Sequence, residues 1–160
     1  MLKLIACIDQ YNSIGIKNDL IYRYKEDLKI FREKTINNII AMGRKTFESI
    51  GSKPLYNRKN IVISKKLLTP KDNSFTVFNN INDILKLSKE KSVFIIGGKQ
   101  IYEYFIPYYD ELHITHIKAS FTKAYNINDS LKININLNNF KIISSQNFEQ
   151  FHINIYKRLN

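Results

Sequence analysis

The sequence holds one cysteine, no tryptophan, three prolines and five glycines among 160 residues. The lone Cys7 excludes a disulfide framework and any zinc site built from clustered thiols. No apolar run approaches the roughly 20 residues needed to cross a bilayer. The opening residues reach Asp9 too soon for a signal-peptide core and show no cleavage signature, so a cytoplasmic protein is expected. Internal repeats and low-complexity linkers are also missing, which makes one domain over 1–160 the simplest expectation. Three common fingerprints are absent: G-x-G-x-x-G after a strand, the phosphate loop G-x-x-x-x-G-K-[ST] and the G-x-S-x-G elbow. No histidine pair stands four apart beside a glutamate, and no metal site is expected.

Acidic residues are scarce as well. Asp and Glu number 14 against 25 Lys and Arg, a formal net charge of +11. A basic balance suits nucleic acid, a membrane surface, small anionic ligands or drift toward Lys- and Asn-rich coding. The cations are scattered rather than blocked, which argues against a nucleic-acid tail. Hydrophobic residues make up 44 % and charged residues 24 %, the balance of a folded globular chain.

Along the chain, apolar stretches alternate with helical patterns. Residues 2–8 read as a central strand buried on both faces, and 9–19 as a long polar loop. A helix is expected over 26–35, a strand over 38–42 and a helix from Arg44 that Gly51 and Pro54 end. Strands follow at 60–64, 76–78 and 93–96, with helices over 80–89 and 100–105. Residues 112–117 alternate, as do 131–137, and 140–148 with 150–158 form an antiparallel hairpin. The fold expected is α/β: a mostly parallel sheet of about eight strands with an antiparallel C-terminal hairpin, flanked by about four helices.

Chemistry concentrates at two strand-to-helix turns, Met42-Gly43-Arg44-Lys45-Thr46 and Ile96-Gly97-Gly98-Lys99-Gln100. Unpaired N–H groups at helix starts bind anions, and ligands of parallel sheets collect at the carboxyl ends of strands. Together the turns could hold one extended polyphosphate, or the glycines could serve tight turns alone. Asp27, beside Glu26, begins a helix ahead of Leu28 and Phe31; either acid could simply complement the helix dipole. His113, His116 and His152 sit in strand patterns and read as structural. His113 and His116 have opposite parity and face opposite sides.

In order and spacing these pieces resemble dihydrofolate reductase. Leu4-Ile5-Ala6 precedes Ile14-Gly15-x-x-Asn18-x-Leu20, and then Asp27-Leu28-x-x-Phe31-x-x-x-Thr35. Met42-Gly43-Arg44-x-Thr46-x-Glu48-Ser49-Ile50-Gly51 and Arg58-Lys59-Asn60-x-Val62-x-Ser64 follow. Ile96-Gly97-Gly98-x-x-x-Tyr102 and Leu112-x-x-Thr115-x-Ile117 complete the set.

The resemblance implies NADPH-dependent reduction of 7,8-dihydrofolate to tetrahydrofolate. Under it, Asp27 binds the pterin's amide and 2-amino nitrogens with Thr115 as partner, and water beside Leu20 protonates N5. Ile5, Cys7, Leu28, Phe31, Ile50, Leu55, Ile96 and Tyr102 line the substrate pocket, and Arg58 clamps the glutamate carboxylate. Ala6, Ile14, Gly15, Asn18 and Leu20 border the nicotinamide-ribose. Arg44, Ser64 and Lys65 meet the 2′-phosphate. Gly43, Lys45, Thr46, Gly97, Gly98, Lys99, Gln100 and Ile101 serve the pyrophosphate, with a cis peptide between the paired glycines.

The chain departs from the family pattern in several places. Ile21-Tyr22 replaces Pro-Trp, so Tyr22 is expected to offer its hydroxyl near the pterin. Lys123-Ala124-Tyr125 replaces a Gly-Asp-Thr turn, Lys99 replaces a small residue, and 122–139 is long and Asn-rich. The competing readings are a pyrimidine or pterin reductase of the same fold, a basic nucleic-acid module and a fold-retaining protein without turnover. A monomer acting on small molecules, with neither nucleic acid nor membrane as partner, is the expectation.

Overall fold

Strand β1 (Leu2–Ile8) lies inside an eight-stranded sheet ordered β5-β4-β3-β6-β1-β7-β10-β9. A computed structural model describes all residues 1–160. The other strands of that sheet are β3 (Ile39–Gly43), β4 (Lys59–Ile63), β5 (Thr76–Phe78), β6 (Val93–Ile95), β7 (Glu111–Ile117), β9 (Phe140–Asn147) and β10 (Phe151–Arg158). Pairing is parallel from β5 through β7, and β10 runs antiparallel to both β7 and β9. The helices are α1 (Lys25–Thr35), α2 (Arg44–Ser49), α3 (Asn82–Glu90) and α4 (Lys99–Tyr104). The expected α/β architecture is present, and no helix is long and apolar enough to cross a membrane.

Alternation along β1 divides the core. Leu2, Leu4, Ala6 and Ile8 join the largest buried cluster, with Ile84 of α3 and Tyr102 of α4. Ile5 and Cys7 point to the other face, where they pack against clusters centred on Met42 and Phe47, and on Tyr22 and Phe151. Full burial of such side chains contributes about 1.5–3 kcal/mol each. Both faces of β1 are therefore covered, as its apolar run predicts.

Three expectations need correction. The polar stretch 9–19 is not all loop: Ser13–Ile16 forms β2, paired antiparallel with β8 (Ser130–Lys132) in a separate small sheet. The alternating stretch 131–137 is a strand only at its start. Ile133, Ile135 and Leu137 do pack on the main core, but Leu137–Asn139 closes into a 3₁₀ turn. Helix α3 begins at Asn82 rather than Asn80, and the Asn80 side chain accepts from Asn82 N at 3.0 Å in the turn that leads into it.

Candidate active site

Neighbouring strands β3 and β6 end together, which brings the two glycine turns into contact. Gly43 N donates to Gly97 O at 2.9 Å, and Tyr102 N donates to Gly98 O at 2.9 Å. The Gly97–Gly98 peptide is cis, as the resemblance implies. Space is tight here for a side chain. A Cβ on either glycine would lie 3.2 Å from Thr46 Oγ1, and one on Gly43 would lie 3.1 Å from Ile101 Cγ1.

These turns wall a cleft of about 750 Å³. Every residue assigned above to the cofactor lines it: Ala6, Ile14, Gly15, Asn18, Gly43, Arg44, Lys45, Thr46, Ser64, Lys65, Gly97, Gly98, Lys99, Gln100 and Ile101. Leu20, Cys7, Ile96 and Tyr102 line it too. Two of the cations hold weak local partners. Arg44 pairs with Glu48, and Lys99 lies 3.8 Å from Glu103. Such part-exposed pairs are worth about 0–1 kcal/mol, so an arriving anion can displace them. Ser64 Oγ accepts from the amides of Lys66 and Leu67 at 3.0 and 3.2 Å, which leaves its proton free for a ligand.

The acid sits deeper. Cys7, Thr115 and Ile153 form one row across β1, β7 and β10. From that row Thr115 Oγ1 donates to Asp27 Oδ1 of α1 at 2.5 Å. Burial holds the Asp27 carboxyl above its ordinary value, while the Thr115 bond and the charge of Lys34 pull it back. Burial also pushes the Cys7 thiol far up, with Asp27 and then Asp9 adding to the effect. Cys7 is thus a neutral wall rather than a nucleophile. Tyr102, buried, donates its hydroxyl to Ile5 O at 2.8 Å and has no free donor for a ligand. Ile5, Ile50, Leu55 and Ile96 pack on one apolar cluster. Phe31 is half-buried and Leu28 is 40 % exposed, both on α1 with Asp27. Arg58 Nη1 donates to Thr35 Oγ1 at 3.2 Å, and its buried Nε has no partner. Thr35 Oγ1 in turn donates to Phe31 O at 2.8 Å. The guanidinium is therefore oriented from α1 with donors still open.

The Tyr22 expectation is overturned. Its ring is buried, and its hydroxyl donates to Asp9 Oδ2 at 2.9 Å rather than toward Asp27. The reason is an acid the sequence reading passed over. Buried Asp9 accepts from Tyr22, from Tyr125, and from the amides of Tyr11 (2.9 Å) and Ser13 (3.2 Å). Lys123 N donates to the Tyr22 hydroxyl at 3.2 Å, and Lys123 Nζ donates to Ile21 O at 2.9 Å. The segment that lacks the family's acid thus reaches the loop through a lysine and a phenol instead. At the loop tip, Gly15 is required: a Cβ there would meet Asp19 O at 2.8 Å. Asp19, Ser49, Ile63, Lys66, Glu103 and Leu131 also line the cleft without having been picked out. Two of them carried a signal: Ser49 stands in the quoted Glu48-Ser49-Ile50-Gly51 motif, and Lys66 is adjacent to Lys65.

Residues 1–158 match the family model described as dihydrofolate reductase. The dihydrofolate reductase of Ureaplasma parvum serovar 3 is 35 % identical over 156 residues, covering 98 % of this chain and 96 % of that one. The Bacillus subtilis enzyme is 41 % identical over 121 residues, covering 73 % of this chain and 69 % of its own. Among solved structures, dihydrofolate reductase from Enterococcus faecalis, complexed with NADP(H) and RAB-propyl, aligns with a TM-score of 0.83. Its sequence is 27 % identical, and the match covers 100 % of this chain and 97 % of that one.

Proposed function

The chain belongs to the dihydrofolate reductase family, and from that premise we propose that Asp27 anchors the pterin while the glycine-walled cleft holds NADPH. The protein is an NADPH-dependent oxidoreductase that reduces 7,8-dihydrofolate to 5,6,7,8-tetrahydrofolate. The observation that carries the assignment of the acid is the Thr115–Asp27 bond, made one strand away from Cys7 in the cleft wall.

The cleft suits the cofactor chemically. It offers Arg44, Lys45, Lys65, Lys66 and Lys99 to phosphates, and its floor at Gly97 and Gly98 is a cradle that a Cβ would fill. Arg44, Ser64, Lys65 and Lys66 would hold the 2′-phosphate. Lys45, Thr46, Gly97, Gly98, Lys99, Gln100 and Ile101 would hold the pyrophosphate, and Gly43 brings their backbones together. Ala6, Ile14, Gly15, Asn18 and Leu20 would border the nicotinamide-ribose. Bound there, NADPH supplies the hydride that the pterin receives at C6.

The protein's part is orientation and electrostatics. Two carboxylate oxygens on Asp27 match two adjacent donors of the pterin, its amide N–H and 2-amino group. Thr115 fixes which way that carboxylate faces. Ile5, Cys7, Leu28, Phe31, Ile50, Leu55, Ile96 and Tyr102 form the apolar walls, and Arg58 takes the substrate's glutamate carboxylate. Asp9 does not compete for the pterin, since its oxygens are committed to four donors. Water entering beside Leu20, which is 48 % exposed, delivers the proton to N5.

On this reading one catalytic domain spans 1–160. It works as a cytoplasmic monomer on small molecules and supplies tetrahydrofolate for one-carbon transfer and thymidylate synthesis. Loss of nicotinamide absorbance on adding dihydrofolate to enzyme and NADPH tests the activity. No dihydrofolate-dependent loss at any pH from acid to neutral would overturn it. Sedimentation at the mass of one chain checks the oligomeric state.

A further inference from the structure

Lys34 stands seven positions after Asp27 on α1. That spacing is two helical turns, so both side chains lie on one face of the helix. The face is turned to the sheet, since Asp27 meets Thr115 of β7 and Ile30 packs with Ile153 of β10. Long side chains in a helix lean back toward its N-terminus. The Lys34 stem therefore runs over the turn of Ile30 and Phe31 and carries its ammonium toward Asp27. Both side chains are half-buried. Lys34 does not line the cofactor cleft.

A half-buried ammonium calls for a compensating charge, yet no salt bridge of the chain includes Lys34. The charged groups beneath α1 are few. Glu111, His113 and Thr115 share one face of β7, and β1 sets Lys3, Ile5 and Cys7 beside them in register. On the other side β10 adds Lys157, Ile155 and Ile153. Glu111 is already answered. Lys3 Nζ lies 3.5 Å from it and His113 Nε2 3.1 Å, and Lys157 is its cross-strand neighbour. Burial, foremost, keeps His113 and Cys7 neutral. The other charges of α1, Lys25, Glu26, Lys29, Arg32 and Glu33, are all exposed. Arg58 is turned to Thr35. Asp27 is thus the carboxylate left to face Lys34. Each responds to the other. Burial lowers the Lys34 ammonium and Asp27 raises it again. Burial raises the Asp27 carboxyl, and Thr115, then Lys34, bring it down.

We propose that Lys34 is a positioning residue for the reaction, a counter-charge held behind Asp27 that keeps both carboxylate oxygens available to the pterin. An ionised carboxylate only accepts, whereas a protonated carboxyl turns one oxygen into a donor. Lys34 thus extends two-pronged binding of dihydrofolate toward acid. The role rests on Asp27 being the pterin anchor.

The test follows the carboxyl directly. Protein isotope-labelled at its Asp side-chain carboxyl carbons is titrated by NMR without ligands, the Asp27 signal being the one that Asp27→Asn removes. Lys34→Met and Lys34→Gln should each move the Asp27 midpoint up by about half a pH unit or more, the modest end of what a nearby opposite charge does. Lys34→Arg should keep it near the wild-type value. In turnover, both neutral variants should raise KM for dihydrofolate by about threefold on the acid side of that midpoint, the factor matching half a pH unit, and hardly at all above it. KM for NADPH should stay unchanged, which certifies the cleft and the fold. An unmoved Asp27 midpoint in both neutral variants would overturn the role of Lys34 and leave the anchor standing. If instead Asp27→Asn left KM for dihydrofolate unchanged, the anchor itself would fall, and the role with it.

Discussion

Replacing Tyr125 by Phe removes one hydroxyl from Asp9 and touches nothing that lines the cofactor cleft. Asp9 keeps Tyr22 and the amides of Tyr11 and Ser13. Hydrogen bonds to a charged group contribute about 1.5–3 kcal/mol. Tyr125 is half-buried, so water replaces part of the loss, and about 1–2 kcal/mol is expected. For a chain of this length that lowers the melting temperature by about 2–8 °C. Urea titration should show the same loss at constant m-value. The pH dependence adds a signature. Burial, then the bond to Asp9, pushes the Tyr125 phenol from 10.0 up to about 12. The folded state therefore keeps a proton that the unfolded chain releases. The phenol's contribution is complete below pH 10 and fades as pH rises toward 12, and the Phe variant should lack that alkaline loss. A functional effect should follow, because the same loop carries Ile14, Gly15, Asn18 and Leu20. KM for NADPH should rise more than KM for dihydrofolate. Asp9→Asn combined with Tyr125→Phe should cost less than the two singly, since both break one bond. Strictly additive losses, or a Phe variant as stable as the wild type, would refute the idea that this carboxylate joins the loop to the 122–132 segment.

Three further outcomes are expected. Asp27→Asn should lower the rate near neutral pH by about 10²-fold or more, the scale of losing one preorganised electrostatic partner of the reacting group, and by less in acid. Because burial raises the Asp27 carboxyl, its charge opposes folding as pH rises through the folded value. Thermal melts of Asp27→Asn should therefore lie above the wild type at neutral pH, and equal or lower melts would contradict the burial argument. Gly15→Ala forces a Cβ onto Asp19 O and should raise KM for NADPH about tenfold, equivalent to roughly 1.4 kcal/mol, with little change in melting. Burial presses His113 from 6.5 down to about 4, so the unfolded chain binds a proton that the folded one refuses. Between pH 6.5 and 4 this costs on the order of 3 kcal/mol. His113→Phe should flatten that acid-side decline in urea titrations, and an unchanged slope would locate the decline elsewhere.

Sequence reading served best where one physical signal decided the outcome. The apolar run 2–8 needed cover on both faces, and only an interior strand gives that. Gly43, Gly97 and Gly98 marked turns at strand ends, and the sheet brought them together. It served least where pairing reaches far along the chain. The pairing of β2 with β8 joins Ser13 to Lys132, and neither four-residue SIGI nor three-residue SLK carries a strand pattern alone. In 131–137 the alternation reported that Ile133, Ile135 and Leu137 face the core, but not that Leu131 is exposed, nor whether the backbone pairs. Tyr22 was legible as a residue near the loop and illegible in direction. Its hydroxyl follows Asp9, thirteen residues earlier, and that relation exists only once the loop has closed.

The position of β1 has a consequence for how this enzyme comes into being. Both its neighbours arrive late in the sequence: Leu2 pairs with Val93, and Lys3 with Glu111. Thr115 is then flanked on its far side by Ile153. A nascent chain that has reached Lys66 carries Asp27, Arg58 and four of the five cations that line the cleft, but has nothing to hold its acid. Such non-local pairing slows folding and makes it a single late event. Capture of dihydrofolate by a chain growing on the ribosome should therefore switch on near completion of synthesis, rather than building up in steps.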